Sequence, residues 1–323
     1  MSNLWKGALL YTVRCSAYCA ALHRTKASLY TREPWVLPRH CIHERKEPPM
    51  LIRMIAMDLD GTALQNDRCS FSPRLNTALE QAHNRGIEIA VITGRQFHML
   101  PPAVQNHPVW ENLVVLCNGA QIRRMATGEI LYAKNISREA LTQLLKLAQT
   151  LEIPMEVSVD SVLYLTRESL AYQQGMAHLD FHINTILKHH GKVVPSLEPL
   201  FELAVEKVNL PHIPPHLHDQ AEELLQNISV SAVWSSPNSI EITHPDAQKG
   251  KALDALCQLL EIPVENVLAL GDSGNDESML KKAGIGIAMG NAPDFIKTIA
   301  DAVSQTNDRD GAAIAIERYA LNK

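Results

Sequence analysis

Short apolar runs alternate with amphipathic segments along much of this chain, and this alternation constrains the fold more than any other feature. The runs "MIAM" (54–57), "IEIAVI" (87–92) and "NLVVLC" (112–117) are apolar at almost every position, which is typical of parallel strands covered on both faces. The stretch 72–86 begins with Ser-Pro and ends with glycine, and these residues favour the start and the end of a helix. Strand, helix and strand at this spacing predict the βαβ unit of a doubly wound α/β sheet.

The middle of the chain follows a different pattern. Paired strand-like runs turn at Thr127-Gly128 and at Asp160-Ser161, and amphipathic helical stretches separate the pairs. After residue 245 the strand–helix alternation resumes. We therefore predict a Rossmann-like, doubly wound parallel-sheet core formed by residues 53–121 and 246–323, with residues 122–245 inserted as an α+β cap.

The first 52 residues fit neither pattern. They contain eight Lys and Arg residues against three Asp and Glu residues, and they show no clear strand or helix periodicity. We interpret this basic segment as a disordered extension, or as the result of a start codon assigned too far upstream, with Met50 or Met54 as the true first residue. A targeting peptide is the alternative, since the segment is basic and nearly free of acidic residues up to Glu33.

Deleting residues 1–49 is expected to leave the activity and the melting temperature of the protein essentially unchanged. The predicted core begins only at residue 53, so the deleted segment supplies none of its strands or helices. Activity measurements and thermal unfolding of the shortened chain test this expectation, and a large loss of either contradicts it.

Composition excludes several classes of function. The formal net charge of −5 over 323 residues argues against a general binder of nucleic acids or of membrane surfaces. No apolar run approaches the roughly 18 residues of a membrane-spanning helix. Six cysteines without a Cys-x-x-Cys pair predict neither a disulfide framework nor a zinc site in a chain of this length. We predict a cytoplasmic protein whose partner is a small molecule.

Polar residues follow the predicted strands, at the points where the strands end. In a doubly wound sheet ligands bind at the carboxyl ends of the strands, so these residues are expected to meet in one crevice. The side chains concerned are Asp58, Asp60, Thr93, Asn118, Asp272, Asn275 and Asp276, together with Lys249 at the start of a predicted helix.

The chemistry of this set is coherent. Acidic side chains are rarely buried without compensation, which a cation, a basic side chain or solvent can provide. Carboxylate oxygens suit Mg²⁺, while Lys249 and the N–H groups of the glycine-rich turns suit a phosphoryl group. No serine–histidine or cysteine–histidine pair competes for the role of nucleophile, so an aspartate is the candidate. Taken singly, Asp60-Gly61-Thr62 and Thr93-Gly94 could each be an ordinary turn.

Four sequence motifs occur in a familiar order. "DLDGT", "ITGR", "QKGKAL" and "GDSGND" resemble the four motifs of the haloacid dehalogenase (HAD) superfamily. "CNGA", the insertion between the second and third motifs, and "AMGNA" after the fourth resemble its Cof-type, sugar-phosphatase-like branch. The resemblance covers residues 53–323 and leaves the basic segment unexplained.

The resemblance implies a role for each motif residue. Asp58 would be the nucleophile that forms an aspartyl-phosphate, and Asp60 would protonate the leaving oxygen and then activate water. Mg²⁺ would be bound by Asp58, by the backbone carbonyl of Asp60 and by Asp272. The residues implied to bind the phosphoryl group or substrate are Leu59, Thr93, Gly94, Lys249 and Asn275, with Asp276 and Asn118 in support.

The function implied is that of a Mg²⁺-dependent phosphatase acting on small phosphorylated metabolites, including sugar phosphates. A phosphomutase on the same fold is one alternative, although no feature of the sequence requires a retained phosphorylated intermediate. A non-catalytic sensor of phosphorylated metabolites is the other. Intact Asp58 and Asp60 argue against a sensor, because a protein that only binds gains nothing from a nucleophile and an acid.

Overall fold

A computed structural model of the chain describes residues 51–110, 113–174, 176, 179–180 and 182–322. The N-terminal segment interpreted above, residues 1–52, lies outside the described residues except for residues 51 and 52. The strands are β1 Met54–Met57, β2 Glu88–Ile92, β3 Leu113–Leu116, β4 Gln121–Arg124, β5 Ile130–Ala133, β6 Glu156–Val159, β7 Val162–Thr166, β8 Gly191–Val194, β9 Val205–Leu210, β10 Ser231–Ser236, β11 Ser239–Thr243, β12 Val267–Gly271, β13 Ile285–Ala288 and β14 Ala302–Val303. The helices are α1 Pro73–Asn84, α2 Pro102–Gln105, α3 Arg138–Thr150, α4 Arg167–Gln173, α5 Lys188–His190, α6 His218–Leu225, α7 Lys249–Leu260, α8 Glu277–Lys282, α9 Asp294–Ile299 and α10 Gly311–Tyr319.

The larger sheet has the order β14-β13-β12-β1-β2-β3-β4-β5, and its strands from β14 to β3 run parallel. Strand β1 lies near its centre and is buried at every position. Ile55 and Met57 pack on one face with α1 and α10, while Met54 and Ala56 pack on the other with α7 and α8. The predicted doubly wound core is confirmed, and burial on both faces explains why its strands are apolar throughout.

Helix α1 shows how the local sequence sets the elements of this core. The Ser72 hydroxyl accepts a hydrogen bond from the Leu75 backbone N–H at 3.1 Å, and Pro73 occupies the first turn. Gly86 follows the helix with a φ of +74°, which a glycine adopts without strain. The chain then enters β2, so the predicted βαβ unit is formed as expected.

A second sheet, with the order β10-β11-β9-β6-β7-β8, is antiparallel except between β7 and β8. One face packs its apolar residues against α3 and α6. The other face is polar on β6, β9 and β11, and it contacts the larger sheet's strand ends, where Gln96 donates to Ser158 and Lys207 Nζ donates to the Gly94 carbonyl at 3.2 Å. This sheet is the predicted α+β cap, and both sheets belong to one compact unit, Pro49–Lys323.

The predicted boundary at residue 122 falls within the larger sheet. Strand β4 pairs with β3 in antiparallel register, Leu116 opposite Gln121, and β5 pairs with β4. After β3 the chain reverses because Cys117 and Asn118 adopt positive φ angles of 51° and 57°. Antiparallel neighbours can be joined by a tight turn, so this hairpin extends the core rather than the cap. We propose that the inserted segment covers residues 134–245.

Among the residues that the structure describes, no helix combines the length and the apolar character that crossing a membrane requires.

Candidate active site

Four adjacent parallel strands end at the same edge of the larger sheet. Asp58 follows β1, Thr93 follows β2, Asn118 follows β3 and Asp272 follows β12. The sequence predicted that these residues would meet at the carboxyl ends of the strands, and the strand order places them there.

Lys249, the first residue of α7, lies at the centre of a buried group of charges. Its side chain is fully buried, and Nζ donates to Asp58 Oδ1 at 2.6 Å and to Asp276 Oδ1 at 2.7 Å. Burial alone lowers the pKa of the ammonium, but the carboxylates of Asp276 and Asp58 raise it above its usual value. Asp276 Oδ2 accepts from the backbone N–H groups of Asp272 and Ser273, each at 2.9 Å. Both oxygens of Asp276 are therefore engaged by the protein.

The carboxylates exceed the positive charge available to them. Burial raises the pKa of Asp58 despite the opposing effect of Lys249, and the negative charge of Asp276 raises it further. Burial also raises the pKa of Asp272 to about 6, although a hydrogen bond from Thr62 at 2.8 Å opposes that shift. Three carboxyl groups beside one ammonium leave two surplus negative charges when all are ionised, which a divalent cation would neutralise.

The arrangement of these oxygens fits a hard metal ion. Asp58, Asp272 and Asp276 each offer an oxygen, and the three oxygens lie within 4.8 Å of one another. Gly61 packs against this group with a φ of +76°, and a β-carbon there would lie 2.3 Å from Asp272 Oδ2. Mg²⁺ is held by few protein ligands and several waters, so a site with carboxylates of this kind is suited to it.

The structure places Asp60 differently from Asp58. Its two carboxylate oxygens accept from Arg95 Nε and from a terminal nitrogen of the same guanidinium, both at 2.7 Å, and its side chain is 41% exposed. Arg95 is in turn fixed by the carbonyl oxygens of Arg68 at 2.9 Å and Met99 at 3.3 Å. No role is predicted for Arg95 from the sequence, although it ends the "ITGR" motif. Asp60 thus lies on the rim of the site, outside the Lys249 cluster.

The predicted phosphate-binding residues Thr93 and Asn275 follow β2 and β12, the two strands that flank β1. Thr93 is fully buried, and its hydroxyl accepts from the Arg95 backbone N–H at 3.1 Å. Asn275 Nδ2 donates to Asn118 Oδ1 at 2.9 Å, which brings the two predicted amides together. The Leu59 side chain is buried in the apolar core, so only the backbone of Leu59 can face a ligand.

Two cap residues reach this site without being predicted. Glu241 on β11 accepts from Asn118 Nδ2 at 3.0 Å, and it forms an ion pair of 2.6 Å with Lys207 on β9. Lys207 also contacts the Gly94 carbonyl, as described above. Both stand in ordinary strands and belong to no recognisable motif.

Asn291 is a further residue that sequence analysis did not single out. Its Nδ2 donates to the Gly61 carbonyl at 2.8 Å and to Asp272 Oδ2 at 3.3 Å. It lies in "AMGNA", a stretch whose sequence resembles the Cof-type branch but for which no residue role is predicted. Its contacts hold the turn after β1 against the loop after β12.

Comparison with known proteins agrees with this fold. A profile of the haloacid dehalogenase-like hydrolase family matches residues 55–316. The chain belongs to this family, and it is a phosphatase.

Three known proteins illustrate the similarity. The chain is 32% identical over 294 residues to the phosphatase YwpJ of Bacillus subtilis, spanning 81% of this chain and 98% of YwpJ. It is 28% identical over 278 residues to the pyridoxal phosphate phosphatase YbhA of Escherichia coli, spanning 82% and 97%. The structure of BT4131, described as a HAD subclass IIB sugar phosphatase, superimposes with a TM-score of 0.71 at 23% identity and spans 83% of this chain and 99% of BT4131.

Proposed function

We propose that this chain hydrolyses phosphate monoesters of small metabolites in a Mg²⁺-dependent reaction that passes through an aspartyl-phosphate on Asp58. One observation carries the proposal. Asp58 is buried at the end of a central strand, bonded to the Lys249 ammonium and adjacent to two further carboxylates. Such a site combines a nucleophile with the positive charge and metal-binding capacity that phosphoryl transfer needs.

In the first step, a carboxylate oxygen of Asp58 attacks phosphorus while the bond between phosphorus and the ester oxygen breaks. Asp60 gives the proton that it took from water in the preceding cycle to the leaving oxygen, which departs as an alcohol. In the second step, Asp60 takes a proton from water, and that water attacks the aspartyl-phosphate, releasing inorganic phosphate and restoring Asp58. In this role Asp60 exchanges its contact with Arg95 for one with the substrate, and its position on the exposed rim leaves it room to do so.

The remaining residues stabilise the charge on the phosphoryl oxygens. Lys249 contributes its ammonium, and Thr93, the Gly94 backbone N–H and Asn275 contribute hydrogen-bond donors. Bound Mg²⁺ would add Lewis-acid stabilisation, held by Asp58, Asp272 and the Asp60 carbonyl. Asp276 positions Lys249 and the backbone after β12, since both its oxygens are already engaged.

The substrate is proposed to be a small phosphorylated metabolite, with sugar phosphates among the candidates. The names of the relatives, which include a pyridoxal phosphate phosphatase and a sugar phosphatase, support this class. The groups proposed to transfer the phosphoryl group all lie on the core. The cap contacts the site through Glu241 and Lys207, so we infer that it selects the rest of the substrate.

Removing the metal is expected to lower phosphate release at least about a hundredfold, because surplus carboxylate charge would then repel the phosphoryl group. The test is a phosphate-release screen over phosphorylated metabolites, with chelator and after adding back Mg²⁺. Mg²⁺ should also raise the melting temperature of the wild type, because a ligand that binds only the folded state stabilises it.

The variant Asp272→Asn should lose most of this thermal shift, whereas Asp219→Asn, at an exposed position on α6, should retain it. Full activity in the presence of chelator contradicts the metal requirement. Binding of phosphorylated ligands without any phosphate release would instead favour the sensor alternative.

A further inference from the structure

The turn between β6 and β7 brings two cap residues onto the core. The strands pair up to Val159 opposite Val162, so the turn consists of Asp160 and Ser161 alone. Both residues have positive φ angles, 49° and 63°, which suit a two-residue hairpin turn. Such angles are uncommon for residues other than glycine, and they persist where the surroundings fix them. The contacts around this turn therefore hold it in its shape.

Glu206 on β9 fixes the turn from within the cap. Its side chain is fully buried, and its carboxylate accepts from the backbone N–H groups of Asp160 at 3.0 Å and of Ser161 at 2.6 Å. Burial raises the pKa of Glu206, and the two N–H donors oppose that shift. Since their N–H groups are bound inside the cap, Asp160 and Ser161 contact the core through their side chains.

Arg123 and Phe97 of the core receive these side chains. Arg123 on β4 is buried, and its guanidinium donates to Asp160 Oδ1 at 2.9 Å. The guanidinium also lies 5.4 Å from the centre of the Phe97 ring, and the Phe97 backbone N–H donates to the Ser161 hydroxyl at 3.1 Å. We call this group of four residues, Arg123, Phe97, Asp160 and Ser161, the β6–β7 clasp.

The clasp lies at the edge of the interface between cap and core. The Asp160 side chain is 72% exposed, whereas Lys207 and Glu241 contact the core at the proposed phosphate site. The inserted segment is joined to the core covalently at its two ends. The clasp is therefore an additional, non-covalent attachment at the border of the crevice.

The chemistry of the clasp allows it to release. A buried ion pair contributes little net free energy, because removing the charges from water costs about as much as their attraction gains. When Asp160 moves away, water reaches Arg123 and replaces the lost contact. The Phe97 N–H and the Ser161 hydroxyl are hydrated in the same way, so release leaves no buried charge without a partner.

We propose that the β6–β7 clasp is the releasable attachment that keeps the cap closed on the core, and that its release opens the crevice above Asp58 to small molecules. In the closed state the clasp keeps bulk water away from the proposed site of phosphoryl transfer. Its release admits the substrate and lets phosphate leave.

Cys117 reports opening of the crevice. It is buried directly after β3, and burial raises the pKa of its thiol, which the charges of Lys207, Glu206 and Glu241 on the cap also influence. Alkylation by iodoacetamide, quantified on the peptide that contains Cys117, therefore requires the cap to move away. Hydrogen exchange of the Phe97 amide reports release of the clasp itself, and exchange of the β1 amides reports unfolding of the core.

The variants Arg123→Met and Asp160→Asn weaken the clasp from its two sides. We expect Arg123→Met to speed both Cys117 alkylation and Phe97 exchange by about five- to tenfold, because both rates are proportional to the open fraction. For Asp160→Asn we expect about two- to fivefold, since asparagine keeps a neutral hydrogen bond to the guanidinium. Exchange in β1 should stay within about twofold of the wild type, because the clasp supports no part of the central strand.

Arg124→Met and Glu129→Gln are the matched controls. Arg124 is the next residue on β4, and its side chain is 45% exposed in a pair of 3.4 Å with Glu129 of the same hairpin. Each control therefore makes the same chemical change as a clasp variant, or a closely similar one, at a position that faces solvent. Both controls should leave all three rates unchanged.

Unchanged Cys117 alkylation in both clasp variants overturns the proposal, even if Phe97 exchange rises, since the turn would then detach without opening the crevice. Acceleration that the β1 amides share also overturns it, because the variants would then only destabilise the fold. Neither measurement depends on phosphate release. A wild type that hydrolyses no phosphate ester therefore refutes the proposed function and leaves this test intact.

Discussion

Replacing Asp58 with asparagine is expected to lower phosphate release by at least about 10,000-fold, because the neutral amide cannot act as the nucleophile. The fold should persist, since asparagine is nearly isosteric and its amide oxygen can still accept from Lys249. The change also removes one of the surplus negative charges around that lysine. We therefore expect the melting temperature of the metal-free variant to equal or exceed that of the wild type.

Asp294→Asn is the matched control for this experiment, because Asp294 lies exposed in the first turn of α9 and is assigned no part in the proposed reaction. It should retain full activity. Mass spectrometry of the wild type, quenched during turnover, should show a phosphorylated peptide containing Asp58 and none in Asp58→Asn. Substantial turnover by Asp58→Asn would remove this residue from the role of nucleophile.

Replacing Lys249 with methionine is expected to lower both stability and activity. Methionine has a similar length and no charge, so the buried carboxylates of Asp58 and Asp276 lose the cation that they share. Removing one partner of a buried ion pair costs about 3–5 kcal/mol of unfolding free energy. Phosphate release should fall at least about a hundredfold, because the ammonium is also proposed to stabilise the phosphoryl oxygens. Urea unfolding and phosphate-release assays measure the two effects.

Lys251→Met, on the same helix, is the control. It removes an exposed lysine, so it distinguishes the loss of a buried charge from the loss of a lysine in general. Lys251 is 48% exposed in its pair with Asp246, and such surface pairs contribute about 0–1 kcal/mol. The double variant Asp58→Asn with Lys249→Met should be more stable than Lys249→Met alone, because it removes one of the two carboxylates that lose their cation. It should stay inactive. Equal stability of Lys249→Met and the wild type would show that the carboxylates do not need this lysine.

Local sequence determined the core and the chemistry of the site. The apolar run of β1 requires burial on both faces, and the Ser72-Pro73 start of α1 is a local signal that the structure reproduces. Because strands of a parallel sheet end at one edge, the residues after β1, β2, β3 and β12 had to meet. The group of Asp58, Lys249 and Asp276 could therefore be anticipated without coordinates.

Tertiary structure alone decided which residues the cap brings to that edge. Glu241 and Lys207 are 123 and 113 residues distant in sequence from the core residues they contact, and they stand in strands that carry no motif. Likewise, the hairpin β4–β5 is a strand pair joined by a short turn, as the cap hairpins are, and the pairing of β4 with β3 assigns it to the core. The sequence also did not determine that Asp60 pairs with Arg95. A charged side chain at a strand end has several possible partners within reach, and the fold decides which one it contacts. Periodicity and turn residues are local properties that a sequence displays directly, whereas the choice among distant partners depends on how the two sheets pack.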